Sequence, residues 1–416
     1  MRLGIDDTDS PTGMCTTYIG AVLARRLARS GIPVRQARLI RLNPNVPWKT
    51  RGNAAVCLEF DGDPEHAFRI ACGTVDELAE LSCDGTNPGV VATNEDLPPE
   101  FYRKAVSDFC ELDEAQDILK RAGALFRGWG NGRGLIGATA AAASRFSDST
   151  WEILSYRKKN NWGTPRRVDR ESLFAAEEAT YPHTWDTVDR EQRAVVCVPH
   201  TPDPVLFGIR GESPRWVMQA RSMIHSEDSA CDQLWITNQG TDAHLIAGRI
   251  GLLQDGRSYT VYGIVAGNAF SGPGGHVSIP VADPVEPAYR VDCLAFEPTK
   301  GFRGIVKGLL PGDRIIATGS YKRGCINLEK LCVISLAAGE IRRPPSCPTC
   351  GKRMTSAGKG KGFKCRFCSA RQMEPQIDRI ERIVQPGWYE VPPVARRHLA
   401  KPLCRGAPTV RAGETG

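Results

Sequence analysis

The 416-residue sequence contains no apolar run that approaches the roughly 20 residues needed to span a bilayer. Its N-terminus lacks a basic start followed by an apolar core, so we expect no signal peptide and a cytoplasmic location. The P-loop sequence, Gly-Lys followed by Ser or Thr, is absent, which argues against that class of nucleotide-binding site. With 41% hydrophobic and 24% charged residues, the chain is typical of a globular protein of roughly two to four domains.

The net charge is unevenly distributed along the chain. From Ile341 to Gly416 there are 16 Lys and Arg residues and 5 Asp and Glu residues, a net charge of +11. The whole chain carries +7, so the first 340 residues carry −4. A basic region on a near-neutral body is typical of a protein that binds a polyanion, although a solvated tail is the alternative. Residues after about Val394 show no periodicity, and we expect them to be partly disordered.

Four of the fifteen cysteines form two closely spaced pairs. The other eleven are scattered, several in apolar segments such as AAVCLEF, and we expect them to be core residues and not disulfides. The paired residues are Cys347 and Cys350, followed after fourteen residues by Cys365 and Cys368. Two such pairs supply the four thiolates of a tetrahedral Zn²⁺ site with no open position, which predicts a structural zinc ribbon. A pair of redox dithiols is the alternative.

Hydrophobic periodicity divides the chain into four regions. Residues 1–148 begin with strand, turn, helix, strand, loop and strand, followed by helical segments and a glycine-rich loop. Residues 149–247 follow the order β-α-β-β-α-β of a ferredoxin-like domain, with RAVVCVPH and PVLFGIRG as the two middle strands. Residues 248–340 contain five or six short strands, which suggest an OB-fold barrel. Residues 341–416 contain the predicted zinc ribbon and the basic tail.

Three carboxylates follow the first predicted strand, in the segment GIDDTDSPTGMCTTY. Asp6, Asp7 and Asp9 could hold a cation such as Mg²⁺ or could form a polar turn, and the residues alone favour neither. Alternation along a strand cannot place Asp6 and Asp7 on one face, so the backbone must turn at one of them. Thr16 or Thr17 is expected to cap the helix that follows.

Two loops carry residue types suited to phosphate binding. Lys49 and Arg51 lie in NPNVPWKTRGN, where they could clamp a triphosphate or could be solvated. The segment GWGNGRGLIG leads into an alanine-rich helix, and glycines at a helix start allow backbone N–H groups to approach phosphate. A tight structural turn is the alternative for this loop.

Six motifs in one order resemble a known family: GIDDTDSPTGMCTTY, NPNVPWKTRGN, GNGRGLIGA, DPVLFGIRGES, TNQGTDAHL and the paired CxxC motifs. They resemble the archaeal TiaS family, the isoleucine-tRNA 2-agmatinylcytidine synthetases, over essentially the whole chain. The resemblance implies a multidomain α+β protein with a kinase-like α/β N-terminal domain, a ferredoxin-like domain, an OB-fold barrel and a zinc ribbon. Its implied partners are ATP, agmatine and an isoleucine tRNA with a CAU anticodon, with no membrane.

The resemblance also implies a reaction and its residues. An ATP-dependent ligase of this family phosphorylates the C2 carbonyl oxygen of the wobble cytidine and then displaces it with agmatine's primary amine. The product reads AUA and no longer AUG. The implied catalytic residues, which bind Mg²⁺, act as bases or become phosphorylated, are Asp6, Asp7, Asp9 and Thr16. The implied ATP-binding residues are Lys49, Arg51, Gly130, Gly132 and Gly134. Candidate partners for the agmatine guanidinium are Asp203, Glu212 and Asp242.

Two other classes of function remain open from the residues. A non-catalytic RNA-binding protein could be built from an OB-fold and a zinc ribbon. A small-molecule kinase with an accessory RNA-binding region is the second alternative. These hypotheses differ from the ligase in whether tRNA and amine are both required for a covalent product.

Overall fold

The N-terminal region of the computed structural model is a five-stranded antiparallel sheet with helices on both faces. The structure describes residues 1–379 and 381–408. The elements are β1 (Arg2–Asp6), α1 (Thr16–Arg29), β2 (Val34–Arg41), β3 (Ala54–Phe60), α2 (Pro64–Leu78), β4 (Gly89–Thr93), α3 (Pro99–Ser107), α4 (Leu112–Arg121), β5 (Leu125–Gly128) and α5 (Gly134–Ala142). The strand order is β5-β4-β1-β3-β2. Helices α1 and α2 cover one face, and α3, α4 and α5 cover the other.

The second region continues the same sheet. Its elements are β6 (Thr150–Arg157), α6 (Arg170–Thr180), β7 (Thr184–Trp185), β8 (Val188–Asp189), β9 (Ala194–Val195), β10 (Val205–Gly211), α7 (Pro214–Met223) and β11 (Ser229–Thr237). The strand order is β11-β6-β10-β7, and β11 pairs in parallel with β2 through Ile236 and Thr237. The two regions therefore form one nine-stranded sheet, with α6 and α7 over the second part.

One middle strand of the second region was predicted wrongly. The predicted strand RAVVCVPH contributes only Ala194–Val195, in a short ribbon with β8. The strand that pairs with β10 is β7, which lies about ten residues earlier in the chain. The apolar run resembles a strand because Val195, Cys197 and Val198 pack half-buried against this region. The carbonyl of Cys197 also accepts a backbone hydrogen bond of 3.1 Å from the N–H of Gly208.

The third region is a closed five-stranded barrel, which confirms the predicted barrel. Its strands are β13 (Ser258–Val265), β15 (Val277–Ala282), β16 (Arg290–Ala295), β17 (Arg314–Lys322) and β18 (Cys325–Ser335), with α8 (Gly301–Lys307) between β16 and β17. The hydrogen-bonded ring runs β13-β15-β16-β18-β17 and back to β13. The short strands β12 (Leu245–Gly248) and β14 (Phe270–Ser271) flank this ring.

The zinc-ribbon region is inserted between the barrel and the end of the chain. Its strands are β19 (Glu340–Arg343), β20 (Thr355–Ser356), β21 (Phe363–Lys364), β22 (Arg371–Gln372) and β23 (Gln376–Arg379). Strands β19 and β23 pair with each other, so the region leaves and returns on a two-stranded stalk. The chain then forms β24 (Gly387–Glu390), which pairs with β18 of the barrel.

Residues 391–408 pack against the other regions, which corrects the expectation of disorder for this part of the tail, and residues 409–416 lie outside the described part of the chain. We call residues 391–408 the strap. Leu399 is buried in the core beneath α3 and α5. Lys330 of the barrel and the strap backbone at Lys401 share Asp242, with Nζ–Oδ2 at 2.6 Å and N–Oδ1 at 2.7 Å. Arg405 Nε binds Glu212 Oε1 at 2.6 Å, and the same guanidinium also pairs with Asp148. The strap sequence shows no hydrophobic periodicity because this segment is extended and is held in place by ion pairs.

Two further sequence expectations concern the cysteines and membrane-spanning helices. All fifteen cysteines carry free thiols, and Cys57, Cys72, Cys110, Cys293 and Cys332 are buried in the cores. Every helix in the described part of the chain is too short or too polar to cross a bilayer.

Candidate active site

The three carboxylates lie at and just after the end of β1, the middle strand of the five-stranded N-terminal part of the sheet. Asp6 is the last residue of β1. Asp7 has a φ of 58°, so the backbone turns there as the sequence predicts, and its carboxylate does not continue the strand alternation. Together with Asp9 these residues line a cleft between the sheet, the loop before β3 and the start of α5.

Burial and mutual repulsion disfavour ionisation of these carboxyl groups. Burial raises the pKa of Asp6 well above its ordinary value, and the charge of Asp7 adds to the effect. Burial and the charge of Asp9 raise the pKa of Asp7 to about 6. Burial raises the pKa of Asp9, with Arg51 opposing the shift. Carboxylates are the ligands that a hard divalent cation prefers. Within the described residues, however, only the four paired cysteines bring three or more ligand atoms within 4.8 Å of one another, so Mg²⁺ binding by these acids stays a prediction.

The loop after Asp9 is held in place by Arg51. The Arg51 guanidinium donates to the backbone carbonyl of Ser10 at 2.7 Å and also to those of Gly13 and Met14. It lies 3.4 Å from Asp9 Oδ2. In this structure Arg51 therefore fixes the acidic loop, and phosphate binding by Arg51 stays a prediction.

The glycine-rich segment brings α5 into backbone contact with β1 and β4. A side-chain Cβ at Gly134 would overlap the backbone of Gly89, and one at Gly137 would overlap Asp6 Oδ2. Gly130 and Gly132 have φ values of 57° and 74°, which glycine adopts without strain. The segment is thus a tight structural turn that also borders the cleft. Its residues that line the cleft are Arg133, Ile136 and Gly137.

The open side of the cleft is lined by cationic and aromatic side chains. The Arg133 guanidinium lies 3.6 Å from the centroid of the Trp48 ring, and Phe109 packs edge-on against the same ring. Trp48 is 55% exposed, so a large aromatic surface remains at the rim. Lys49 also lines the cleft, and its ammonium donates to the carbonyl of Val46 at 3.2 Å. Arg133 was not singled out from the sequence, although it lies inside the quoted glycine motif.

The predicted cap of α1 is wrong. The N-cap residue is Cys15, and no side chain caps the helix. The hydroxyl of Thr16 is instead used by Thr8, whose backbone N–H donates to it at 3.3 Å and whose Oγ1 lies 3.1 Å away. Thr17 Oγ1 lies 3.1 Å from Cys15 Sγ. Both threonines line a second cavity, described next.

The second cavity lies between the two parts of the nine-stranded sheet and the strap. Acids that line it are Asp9, Glu152 and Asp203, and basic side chains that line it include Arg41, Arg51, Arg210 and His398. Asp9 lines both cavities. Among the acids suggested for agmatine, Glu212 and Asp242 are engaged by Arg405 and Lys330. Asp203 is the member of that set on the cavity wall.

The four paired cysteines come together as predicted. Their sulfur atoms all lie within 4.8 Å of one another. Cys347 and Cys368 are 3.3 Å apart, Cys350 and Cys365 are 3.5 Å apart, and Cys350 and Cys368 are 3.7 Å apart. A tetrahedral Zn²⁺ with Zn–S bonds of about 2.3 Å separates its sulfurs by about 3.8 Å. The cluster therefore fits a zinc ion without rearrangement of the ribbon.

Comparison with known proteins assigns these features to one family. Three family models match: the TiaS TCKD domain over residues 2–65, the TiaS FLD domain over 132–244 and the TiaS C-terminal zinc ribbon domain over 344–384. The isoleucine-tRNA 2-agmatinylcytidine synthetase TiaS of Methanocorpusculum labreanum is 49% identical over 406 residues, 97% of each chain. The chain belongs to the TiaS family.

Other TiaS proteins agree over similar lengths. The TiaS of Archaeoglobus fulgidus is 42% identical over 410 residues, 97% of each chain. A crystal structure of TiaS in complex with its isoleucine tRNA and ATP superposes with a TM-score of 0.91 at 40% identity, covering 99% of this chain and 98% of that one. A complex of TiaS with the same tRNA, AMPCPP and agmatine gives a TM-score of 0.88 at 38% identity, covering 97% and 96%.

Proposed function

We propose that the chain is an ATP-dependent ligase that attaches agmatine to C2 of the wobble cytidine in an isoleucine tRNA. The main support for this proposal is the match to TiaS synthetases along 97% of both chains. That match is stronger support than any single motif. A relative crystallised with an isoleucine tRNA, an ATP analogue and agmatine points to the same three partners. The CAU anticodon, the switch from AUG to AUA decoding and the cytoplasmic location belong to the proposal.

The acidic cleft is the proposed site of phosphoryl transfer. Asp6, Asp7 and Asp9 would hold Mg²⁺. A bound Mg²⁺ would neutralise part of the negative charge of the phosphates. Lys49 and Arg133 flank the acids, where their cationic groups orient the triphosphate of ATP. Gly130, Gly132 and Gly134 support this site by setting the turn before α5. Autophosphorylation of Thr16 remains part of the proposal, with its hydroxyl beside Thr8 as the supporting contact.

The second cavity is the proposed site of agmatine attack. Agmatine is a dication, and Asp203 offers a carboxylate on the cavity wall. The amine nitrogen forms a bond to C2, the bond between C2 and its oxygen breaks, and the oxygen leaves as part of the phosphate. Asp9 lies on both cavities, and the proposal leaves it either as a Mg²⁺ ligand or as the base that removes the amine proton.

The domain names belong to the same proposal. The order β11-β6-β10-β7 supports a ferredoxin-like second domain, because the first and last strands of the β-α-β-β-α-β unit are neighbours. The closed barrel with one helix supports an OB-fold, and the N-terminal region would be the kinase-like domain. The boundaries proposed are 1–148, 149–247, 248–340 and 341–416. The barrel and the basic ribbon would hold the tRNA.

Mass spectrometry of nucleosides tests the proposed reaction. The protein is incubated with the isoleucine tRNA, ATP and agmatine, and the digested tRNA is compared with reactions that lack one component. We expect cytidine to gain the mass of agmatine less water only in the complete mixture. A non-catalytic RNA-binding protein would leave every nucleoside unchanged, and a small-molecule kinase would consume ATP without the tRNA.

A further inference from the structure

One wall of the second cavity carries basic side chains that have no role in the proposed reaction. Arg41 ends β2, Arg210 lies in β10 and His398 lies in the strap, so three separate elements contribute. Arg210 Nη2 is 2.6 Å from His398 Nδ1. A Cβ placed on Gly52 would lie 2.9 Å from Arg41 Nη1 and 3.5 Å from His398 Nε2. The free ends of Arg41 and His398 therefore converge on one corner of the cavity.

The charges on the cavity wall do not cancel at Arg41. Each acid that lines the cavity has an arginine partner within 4 Å: Asp9 with Arg51 at 3.4 Å, Glu152 with Arg210 at 3.2 Å and Asp203 with Arg166 at 3.6 Å. Arg41 Nε donates to Gln239 Oε1 at 3.2 Å. Its two Nη groups have no protein acceptor within residues 1–379 and 381–408. The open donors of this half-buried guanidinium are therefore free to bind water or an anionic or carbonyl group of a ligand.

His398 adds a neutral donor to the same corner. Burial lowers its pKa well below the ordinary histidine value, and the charges of Arg41 and Arg210 act in the same direction. Arginine can only donate, so Nδ1 of the neutral ring accepts from Arg210 and the proton lies on Nε2. Burial also lowers the pKa of Arg41 to about 10, which leaves it charged at neutral pH. The corner thus presents a guanidinium fork and one N–H.

We propose that Arg41 and His398 bind a phosphate group of the RNA substrate in this cavity. A guanidinium fork with an adjacent N–H matches the arrangement of phosphate oxygens. Two sources share this chemistry: a phosphodiester beside the wobble cytidine, and the phosphoryl group carried on its C2 oxygen. The second source rests on the proposed route through C2 phosphorylation. There, the C2–O bond breaks with its electron pair going to the departing phosphate, and the two donors stabilise that charge.

The test compares variants of the full-length protein in two measurements. The variants are Arg41→Gln, His398→Ala and His398→Gln, and the control is Arg35→Ala, an exposed arginine on the same strand β2. The first measurement is the dissociation constant for the isoleucine tRNA. The second is the transfer of label from γ-³²P-labelled ATP to the cytidine base in the absence of agmatine, followed by release of that label when agmatine is added. Circular dichroism and the thermal midpoint identify variants that are unfolded.

We expect Arg41→Gln to weaken one of these measurements by about tenfold to a hundredfold. Weaker tRNA binding assigns the site to a phosphodiester, and slower formation or release of labelled phosphate at normal tRNA affinity assigns it to the base phosphoryl group. His398→Gln, which keeps an N–H donor, should retain more activity than His398→Ala. A merely structural histidine would not show this rescue.

The inference is overturned if folded Arg41→Gln matches Arg35→Ala in both measurements. If the wild-type protein places no label on the tRNA, the phosphorylation route fails separately. In that case the dissociation constant alone decides: an unchanged value overturns the phosphate site, and a raised value supports it.

Discussion

Asp9 is placed where the acidic cleft and the second cavity meet. We expect Asp9→Asn to lower the rate of cytidine modification by about a hundredfold or more, because a neutral amide neither accepts a proton nor holds a divalent cation. Binding of tRNA should change far less, since the barrel and the basic ribbon are the regions proposed to hold the tRNA. The measurements are single-turnover rates and filter binding. Asp96→Asn, at a carboxylate that is 81% exposed, is the control. Full activity of Asp9→Asn would remove this residue from the mechanism.

Glu177 makes a pH-dependent contribution to stability at a site remote from the acidic cleft. It is 4% exposed on α6, and burial together with the charge of Asp186 raises its pKa to about 7. Between about pH 4.5 and 7 the unfolded chain is ionised at this carboxyl while the folded chain keeps its proton, so stability falls as pH rises. Glu177→Gln should remove this loss in the free energy of unfolding, which reaches about 3 kcal/mol above pH 7.

The check on Glu177 is a series of thermal midpoints from pH 4.5 to 8. The midpoint of Glu177→Gln should exceed that of the wild type increasingly up to about pH 7 and then by a constant amount. The control is Glu178→Gln at the neighbouring exposed residue, whose thermal midpoint should equal that of the wild type at every pH. A difference that is independent of pH would contradict the assigned cause.

At the scale of elements, helix α5 sets the position of Asp6. A Cβ at Gly137 would overlap Asp6 Oδ2, whereas one at Gly73 of α2 meets nothing within 4 Å. We expect Gly137→Ala to destabilise the protein by about 1–3 kcal/mol and to abolish cytidine modification, since Asp6 must move. Gly73→Ala should stabilise by up to about 1 kcal/mol with normal activity. Denaturant unfolding and the modification assay measure both. Normal activity of Gly137→Ala would show that Asp6 tolerates displacement.

Local elements with strong periodicity could be predicted from the sequence, whereas pairings between distant segments could not. Strands β1, β2 and β3 and helix α1 occur as expected, because their apolar spacing reports which face is buried. Strand alternation also predicted a turn at one of Asp6 and Asp7, and the structure has it at Asp7. Helix α2 was missed, although Asp63 accepts bonds from the N–H groups of Glu65 and His66 and precedes a proline, a recognisable start signal.

The candidate site residues show the same division. Asp6, Asp7, Asp9 and the four paired cysteines are adjacent or regularly spaced, so the sequence alone could single them out as candidates. Arg41, Arg210 and His398 come from β2, β10 and the strap, and no spacing relates them. Their proximity depends on the parallel pairing of β2 with β11 and on the course of the strap, which are both long-range contacts. Such sites follow from topology and not from a motif.

At the scale of the whole molecule, the zinc ribbon is a separable unit. Its small core of Cys347, Met354 and Cys365 is distinct from the other hydrophobic clusters. Removal of zinc by a chelator, or Cys347→Ser, should unfold the ribbon and weaken tRNA binding by about tenfold or more, because its basic surface is lost. The main thermal transition should persist.

Metal content, tRNA affinity and the thermal transition check this expectation together. Cys83→Ser, at a free thiol in the N-terminal region, is the matched control and should keep both zinc and affinity. If Cys347→Ser protein retained its zinc and its affinity for tRNA, the ribbon would have no part in substrate binding.

The strap has a consequence for how the protein is made. Two strap residues tie it to the second region: His398 completes the wall of the second cavity, and Arg405 binds Glu212. Ribosomes release the C-terminus last, while earlier domains fold during synthesis. A nascent or prematurely terminated chain can therefore form the acidic cleft but not the finished cavity.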